Sequence, residues 1–302
     1  MQDSIFTIDL PLVSTNEELE KVKTLHTDCD SYFIASGCIE ERRDKFNNLW
    51  KQFKSLADTH FLSQIKKEFH ERTWEMYVGC VLKKYFSDVS SGDSGPDFIL
   101  NKDKTDETFI EAVACKKGDS ADAVPDMIIA EKPEDITAQN VPHDEMLLRL
   151  SRSIERKAKK YKNFIIDKNK PYIIAVNKGA LKHPDPQIPL VLKCLFGLGY
   201  EHFKKVDGPF IYNGWTKREY VEKKNGKKIP MIFFEKDENN FVSAVIYSSI
   251  NILNSPQDIG SDCIMVHNQK AKCPVDTKTF SFLQQWKAEY IGDGLEIKKI
   301  EP

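Results

Sequence analysis

Two short apolar runs joined by a polar stretch constrain the fold of this chain most strongly. The runs are Phe98–Leu100 and Thr108–Ala114, and all seven residues between them are polar. A proline stands two residues before the first run, which suits the start of a strand because proline has a fixed φ and no N–H to donate. Runs of this length, bounded by turn residues, predict an antiparallel hairpin.

The predicted hairpin would bring two carboxylates, Asp97 and Glu111, towards each other, because they bracket the ends of the two strands. Burial of two carboxylates costs free energy unless a positive charge lies between them. A divalent cation is the natural candidate, since Mg²⁺ prefers one or two carboxylates together with water and phosphate oxygens. The alternative is a surface hairpin that carries two incidental acids.

An acid-bearing helix is predicted directly before the hairpin. Residues 61–86 contain no proline and a single glycine, and their apolar residues recur at helical spacing. Glu68, Glu71 and Glu75 recur at steps of three and four, so they fall on one helix face. The helix and the hairpin together therefore concentrate acids in one part of the chain.

This order of segments resembles the PD-(D/E)XK nuclease superfamily. In that family a helix Glu, the Asp of a Pro-Asp step and the Glu of the next strand bind the catalytic metal. The resemblance assigns these roles to Glu75, Asp97 and Glu111. It implies an α/β fold of the restriction-endonuclease-like type, in which helices flank a mixed β-sheet core. It also implies Mg²⁺- or Mn²⁺-dependent hydrolysis of DNA, in restriction or in phage defence.

Later segments extend the resemblance over residues 60–275. A basic helix opens at Arg149, and an apolar strand follows at 171–177. Near the end of this range, Val266-His267-Asn268 with Ala271 and Pro274 is similar to a turn of bacterial, restriction-type members. The ordered series of segments, more than the Pro-Asp step alone, points to this family.

The chain departs from the family pattern at one position. The family's lysine follows the strand Glu by two residues, and Val113 stands there. Some members present the lysine from the following helix, where Lys157 is our first choice and Lys160 our second. The alternative is a lost lysine and an inactive nuclease-fold module that binds nucleic acid or a protein partner.

A basic helix is predicted downstream of the hairpin. Residues 149–162 carry seven Lys or Arg and one acid. Such a row suits a duplex backbone, because counterion release supplies most non-specific affinity for DNA; a solvated helix face is the alternative. The residues expected to contact nucleic acid are Arg149, Arg152, Arg156 and Lys159.

Two other stretches have unusual composition. Residues 118–145 hold eight acids and one lysine, which predicts either a lid or a solvated segment. Residues 203–228 interleave basic and aromatic side chains, which suits base stacking. Asn225-Gly226 within them predicts a plain hairpin turn as well.

Composition limits the class of protein. A length of 302 residues and an apolar content of 40% suffice for a large core. The seven cysteines form no C-x-x-C pair, which indicates reduced thiols. No apolar run approaches the roughly 18 residues that span a membrane. We therefore expect a cytoplasmic protein without membrane contact, with an α/β core at 61–302. The mainly helical part at 1–60 is expected to pack in the core, with a helical cap or a dimer surface as alternatives.

Periodicity predicts the remaining elements. They are a strand at 5–12, an apolar stripe on a helix ending near Phe53, a buried helix at 189–199, strands at 229–234, 242–247 and 263–266, and a last amphipathic helix at 280–290.

Overall fold

The computed structural model describes residues 4–92, 95–128, 140–186, 188–205, 208–291 and 294–300. The chain divides into two compact units. Unit 1 comprises Met1–Ala112 and Ile252–Gly260, and unit 2 comprises Val113–Asn251 and Ser261–Pro302. Both units combine helices with strands, so the protein is α/β in the general sense predicted. The division at residue 60 drawn from the sequence stays a prediction.

Within the described ranges, unit 1 contains five helices and a small antiparallel sheet. The helices are α1 (Asn16–Leu25), α2 (Ser31–Cys38), α3 (Glu40–Phe53), α4 (Phe61–Ile65) and α5 (Phe69–Tyr85). The predicted stripe on α3 is buried. Its aromatic members form the core of the unit with Phe61, whose ring centroid lies 5.5 Å from that of Trp50 and 4.9 Å from that of Phe53. Aromatic packing of this kind accounts for much of the buried apolar area.

The predicted hairpin is confirmed in unit 1. Its strands are β1 (Val89–Ser90), β2 (Phe98–Leu100) and β3 (Thr108–Ala114), each antiparallel to the next. The loop between β2 and β3 turns through Asn101 and Asp103, which have φ of 50° and 62°. Asn and Asp are the non-glycine residues that tolerate this region best. The last two residues of β3 belong to unit 2.

Helix α5 packs closely against the hairpin at Gly79. A Cβ atom there would lie 2.6 Å from the Phe53 ring and 3.1 Å from the Phe98 ring. Only glycine therefore allows the α5 backbone to approach these two rings so closely. This contact fixes the position of α5, and with it Glu75, relative to strand β2.

Unit 2 contains two helices and a large mixed sheet within the described ranges. Its elements are α6 (His143–Lys168), β4 (Tyr172–Asn177), α7 (Leu190–Phe196), β5 (Leu198–Lys205), β6 (Phe210–Lys217), β7 (Tyr220–Glu222), β8 (Lys228–Pro230), β9 (Ala244–Ser248), β10 (Ile264–His267), β11 (Gln284–Ile291) and β12 (Gly294–Ile300). The strand order is β4-β9-β10-β11-β12-β6-β5. The pairs β4/β9 and β10/β11 are parallel, and the others are antiparallel.

Helix α6 is the predicted basic helix, and it begins six residues earlier than the sequence indicated. It packs on β4, where the Tyr161 and Tyr172 ring centroids lie 6.4 Å apart and the Tyr172 hydroxyl donates to the Lys157 carbonyl oxygen (3.3 Å). Strands β7 and β8 form a separate hairpin, and its predicted turn is confirmed by Gly226 with φ of 81°.

The predicted strand at 5–12 is wrong, since these residues, all of them described, form no regular element. Ile5, Phe6 and Leu10 are buried, but the backbone pairs with no neighbouring strand. Phe6 and Leu10 instead pack against Gly37 of α2, and the Asn47 side chain accepts the Ile5 N–H (3.1 Å). Packing on helices therefore replaces the expected strand pairing.

The single helix predicted at 61–86 is broken between α4 and α5. Glu68 leaves the helical region, with φ of −121° and ψ of 49°, and the Lys66 carbonyl oxygen accepts the Asp30 N–H (2.6 Å) rather than a helical bond. A tertiary hydrogen bond therefore interrupts a sequence that has good helical periodicity.

The helix predicted at 280–290 is also wrong. Residues Gln284–Ile291 form β11, which pairs in parallel with β10 and antiparallel with β12. The apolar spacing of this segment satisfies both periods, and pairing with two distant strands decides between them. The strand predicted at 229–234 is shorter than expected, because β8 ends at Pro230 and Phe233–Glu235 form a 3-10 turn.

Candidate functional site

Asp97 and Glu111 interlock through the backbone of the hairpin. Phe98 lies opposite Ile110, so Asp97 and Glu111 follow as the next facing pair. The Asp97 N–H donates to Glu111 Oε2 (3.1 Å), and the Ala112 N–H donates to Asp97 Oδ2 (2.8 Å). Each carboxylate is therefore anchored to the strand that carries the other.

Burial of this pair of acids costs free energy, because it removes charged groups from water. Glu111 is fully buried and Asp97 is half-buried. A hydrogen bond from a backbone N–H to a carboxylate stabilises the charged form, which offsets part of the desolvation cost. The two hydrogen bonds from backbone N–H groups also hold the carboxylates in fixed positions, as a metal or substrate site requires.

Glu75 approaches the same region from α5 and is held by Arg72. Arg72 Nη1 donates to Glu75 Oε2 (2.7 Å) and to Asp58 Oδ2 (3.1 Å). The Glu75 side chain is only 13% exposed. We predicted no role for Arg72 from the sequence, although Arg72 and Glu75 have the i, i+3 spacing of neighbours on one helix face.

The pKa of Glu75 is raised to about 8 from its ordinary value of 4.5. Burial is the largest cause, and the negative charge of Asp97 is the next. The Arg72 guanidinium acts in the opposite direction but does not outweigh them. At neutral pH Glu75 therefore carries a proton, which relieves the repulsion between gathered acids.

The donor chemistry of this region fits a hard divalent cation. Mg²⁺ takes carboxylate oxygens and usually needs only one or two protein carboxylates, and Asp97 and Glu111 supply such a pair. A neighbouring cation would lower the pKa of Glu75, because an opposite charge favours the carboxylate. Over the ranges that the structure describes, no group of three or more His, Cys, Asp or Glu is placed to hold a metal ion. Metal binding by Asp97, Glu111 and Glu75 stays a prediction.

No cation stands at the family's usual lysine position. Val113 is fully buried in β3. Lys117, further along the chain, forms an ion pair with Asp126 (2.6 Å). Lys157 is half-buried and Lys160 is exposed on α6, and the Lys160 ammonium lies 4.5 Å from the Tyr161 ring centroid. The catalytic roles of Lys157 and Lys160 stay predictions.

The four residues of α6 predicted to contact nucleic acid fall into two environments. Arg152, Arg156 and Lys159 are exposed. Arg149 is 8% exposed, and its guanidinium donates to Ser120 and to the Asp122 carbonyl oxygen. The exposed three form a candidate nucleic-acid interface, and Arg149 lies beneath another part of the chain.

The basic and aromatic stretch at 203–228 lies on strands β5 to β8. Several aromatic side chains there are exposed, and the Phe203 and Tyr212 ring centroids lie 5.9 Å apart. Lys228 lies 4.3 Å from the Tyr220 ring centroid. Exposed rings beside cations suit stacking with bases, and base contact by this stretch stays a prediction.

Only part of the acidic stretch at 118–145 can be assigned. Residues 129–139 lie outside the described residues. Residues 118–128 are described and contact α6 and β7–β8 through Asp122. The choice between a lid and a solvated segment stays open for the rest.

Comparison with protein-family models, with curated proteins and with solved structures finds no match. None of the helices in the described ranges has the length and apolar character needed to cross a membrane.

Proposed function

We propose that this protein is a metal-dependent nuclease that hydrolyses DNA phosphodiester bonds on a restriction-endonuclease-like fold. The observation that carries the proposal is the set of gathered acids: Asp97 and Glu111 are interlocked, and the charge of Asp97 helps to raise the pKa of Glu75 to about 8. Stable proteins rarely bury acids together unless the acids serve a site.

In this proposal Asp97 and Glu111 hold Mg²⁺ or Mn²⁺. When bound, such an ion would supply Lewis-acid polarisation of the scissile phosphate and a water of lowered pKa. The N–H groups of Asp97 and Ala112 keep the carboxylates in place. Arg72 positions Glu75, and Glu75 releases its proton as positive charge enters the site, because an opposite charge favours the carboxylate.

Cations of α6 complete the proposal. Lys157, or Lys160 in its place, stabilises the negative charge that develops on the phosphate. Arg152, Arg156 and Lys159 contact the DNA backbone, since exposed cations on one helix face supply salt-dependent affinity. The resemblance extends the proposal to a cytoplasmic protein of restriction or phage defence, with a homodimer as one arrangement.

One observation favours a second candidate, a nuclease-fold module that binds nucleic acid or a protein without cleaving DNA. The position where the family carries its lysine holds the fully buried Val113. If no lysine from α6 replaces it, the carboxylates would remain as a structural remnant and the exposed cations would still bind DNA.

The deciding experiment incubates the protein with plasmid, linear and single-stranded DNA, with and without Mg²⁺ or Mn²⁺. We expect cleavage only with metal. Asp97→Asn and Glu111→Gln should each abolish cleavage but leave DNA binding intact, because they delete charge at the metal and not on α6. Asp103→Asn is the matched control, since Asp103 is an exposed acid of the same hairpin and Asn tolerates its positive φ. Wild-type protein that binds DNA but never cuts it with any divalent metal would establish the binding module instead.

A further inference from the structure

Arg149 of α6 is a buried cation that lacks an anionic partner among the described residues. It is 8% exposed. Its Nη2 donates to the Asp122 carbonyl oxygen (2.8 Å) and to Ser120 Oγ (3.3 Å), which are both neutral. Its Nε is buried and has no hydrogen-bond partner. A guanidinium has five N–H donors and cannot lose its charge in a protein, so this environment leaves it poorly compensated.

Lys178 shows how the same unit treats another buried cation. It is fully buried, and it pairs with Asp185 (3.2 Å) and donates to the His183 carbonyl oxygen (2.6 Å). Buried charges normally have such a partner, because an unpaired one costs several kcal/mol. By this standard Arg149 differs from Lys178, since no described residue forms an ion pair with it.

A short segment covers the Arg149 guanidinium. We call residues 118–126 the strap. Gly118 has φ of 83° and packs directly on the guanidinium, where an added Cβ would collide with it. Glycine is therefore required at this position both for its backbone conformation and for the close approach.

Besides the two bonds to Arg149 and the buried Val124 side chain, the described contacts that fasten the strap are individually weak. They are the Val124 N–H to the Lys117 carbonyl oxygen (3.1 Å), the Lys224 N–H to Asp122 Oδ1 (2.8 Å), His183 Nε2 to the Pro125 carbonyl oxygen (2.8 Å) and the exposed Lys117–Asp126 ion pair. A single hydrogen bond contributes little net free energy, and an exposed ion pair contributes as little. A polyanion that bound Arg149 could offset their loss.

Further cations of unit 2 act on the same buried thiol as Arg149, although the strap itself carries the acids Asp119, Asp122 and Asp126. Lys178, Arg156 and Arg149 all act to lower the pKa of the buried Cys115 thiol, although burial still raises it to about 11. Arg149, Arg152 and Arg156 recur at steps of three and four, so they share one face of α6. A phosphate chain that follows the exposed cations would therefore continue towards Arg149.

We propose that Arg149 is a phosphate-binding residue that the strap covers in the free protein. A phosphodiester of the nucleic acid takes the place of the Asp122 carbonyl and the Ser120 hydroxyl, and the strap leaves α6. The guanidinium fork matches two phosphate oxygens, which two neutral acceptors cannot replace. The inference takes only its ligand, a nucleic acid, from the proposed function and needs no metal.

The test is hydrogen exchange of the full chain in EDTA at low salt, with and without a short DNA duplex. The Ala123 and Val124 amides are hydrogen-bonded in the free protein. We expect them to exchange at least about tenfold faster at saturating DNA, because their bonds open when the strap leaves. Unchanged or slower exchange of these amides, or no binding of the duplex, would overturn the inference.

Two variants sharpen the test. Gly118→Ala should free the strap without DNA and raise duplex affinity several-fold, whereas Gly260→Ala should do neither. Gly260 also has a positive φ (94°), but a Cβ there would press on the Val81 side chain (3.1 Å) and not on Arg149. Arg149→Lys keeps the charge but loses the fork, and should lower affinity several-fold. If Arg149→Lys does not fold, the comparison of the two glycine variants decides, and equal affinities for them would overturn the inference.

The outcomes separate this inference from the proposed nuclease activity. Strap release by DNA in a protein that never cuts DNA would support the phosphate site and reject the nuclease. Cleavage that depends on Asp97 but occurs without strap release would support the nuclease and reject the phosphate site.

Discussion

The acids of unit 1 and Arg149 of unit 2 are buried charges that the protein neutralises in different ways. Glu75 can titrate, and its pKa rises to about 8, so it takes up a proton. A guanidinium keeps its charge in a protein, and Arg149 donates to neutral oxygens of the strap. The difference shows that the chemistry of each group, and not its burial alone, decides how its charge is compensated. We infer that the acids of unit 1 would bind a cation and that Arg149 would bind an oxyanion.

The largest effect is expected from the lysine that would act with the acids. Lys157→Ala should lower the rate of cleavage by about 10²–10³, the size typical of one lost transition-state donor. Single-turnover kinetics at saturating DNA would measure it. Lys160→Ala is the matched variant about one turn along α6. It should lower the rate of cleavage instead if Lys160, and not Lys157, serves the site. Cleavage that persists unchanged in both variants would show that another cation serves the site.

The pH dependence of stability tests the acid side of the comparison. The folded-state pKa of Glu75 lies above its ordinary value. The contribution of Glu75 to the free energy of unfolding is therefore fully present below pH 4.5 and is lost as pH rises through about 8. Glu75→Gln, which mimics the protonated form, should remove this loss. Relative to wild type it should gain up to about 5 kcal/mol in free energy of unfolding between pH 4.5 and pH 9.

Denaturant unfolding across this pH range, followed by hydrogen exchange of the α5 amides, would measure the difference. Glu68→Gln provides the control, because Glu68 is exposed at the start of the same helix. Parallel pH profiles for wild type and Glu75→Gln would mean that Glu75 is ionised in the folded protein.

A smaller effect is expected on the basic side, from the exposed cations of α6. Replacement of Arg152, Arg156 and Lys159 together by alanine should weaken DNA binding at low salt and reduce the slope of log K against log salt by about one unit for each lost phosphate contact. Fluorescence anisotropy over a salt series would measure the slope. Alanine at Lys21, Lys51 and Lys278, three exposed lysines elsewhere, makes a charge-matched control. Equal slopes for the two triple variants would assign this face of α6 to solvent.

The sequence predicted those parts of the protein that depend on local pattern. The hairpin that carries Asp97 and Glu111 was visible because two apolar runs flank a polar loop, and α6 was visible from its period and charge. The burial of Arg149 was not visible, since it shares a helix face with cations that are exposed. The role of Arg72 and the pKa of Glu75 depend on tertiary packing at Gly79. Strand β11 was missed because only its distant partners distinguish it from a helix.

The most direct test of the account is the number of protons released when Mg²⁺ binds the protein without DNA. Isothermal titration calorimetry at pH 7 in two buffers of different ionisation enthalpy measures this number. Because Glu75 is protonated at this pH and a neighbouring cation favours the carboxylate, we expect release of about one proton per ion. Glu75→Gln should bind Mg²⁺ and release none. Equal proton release by the two proteins, or Mg²⁺ binding by the wild type without proton release, would contradict the claim that these acids form a cation-binding site.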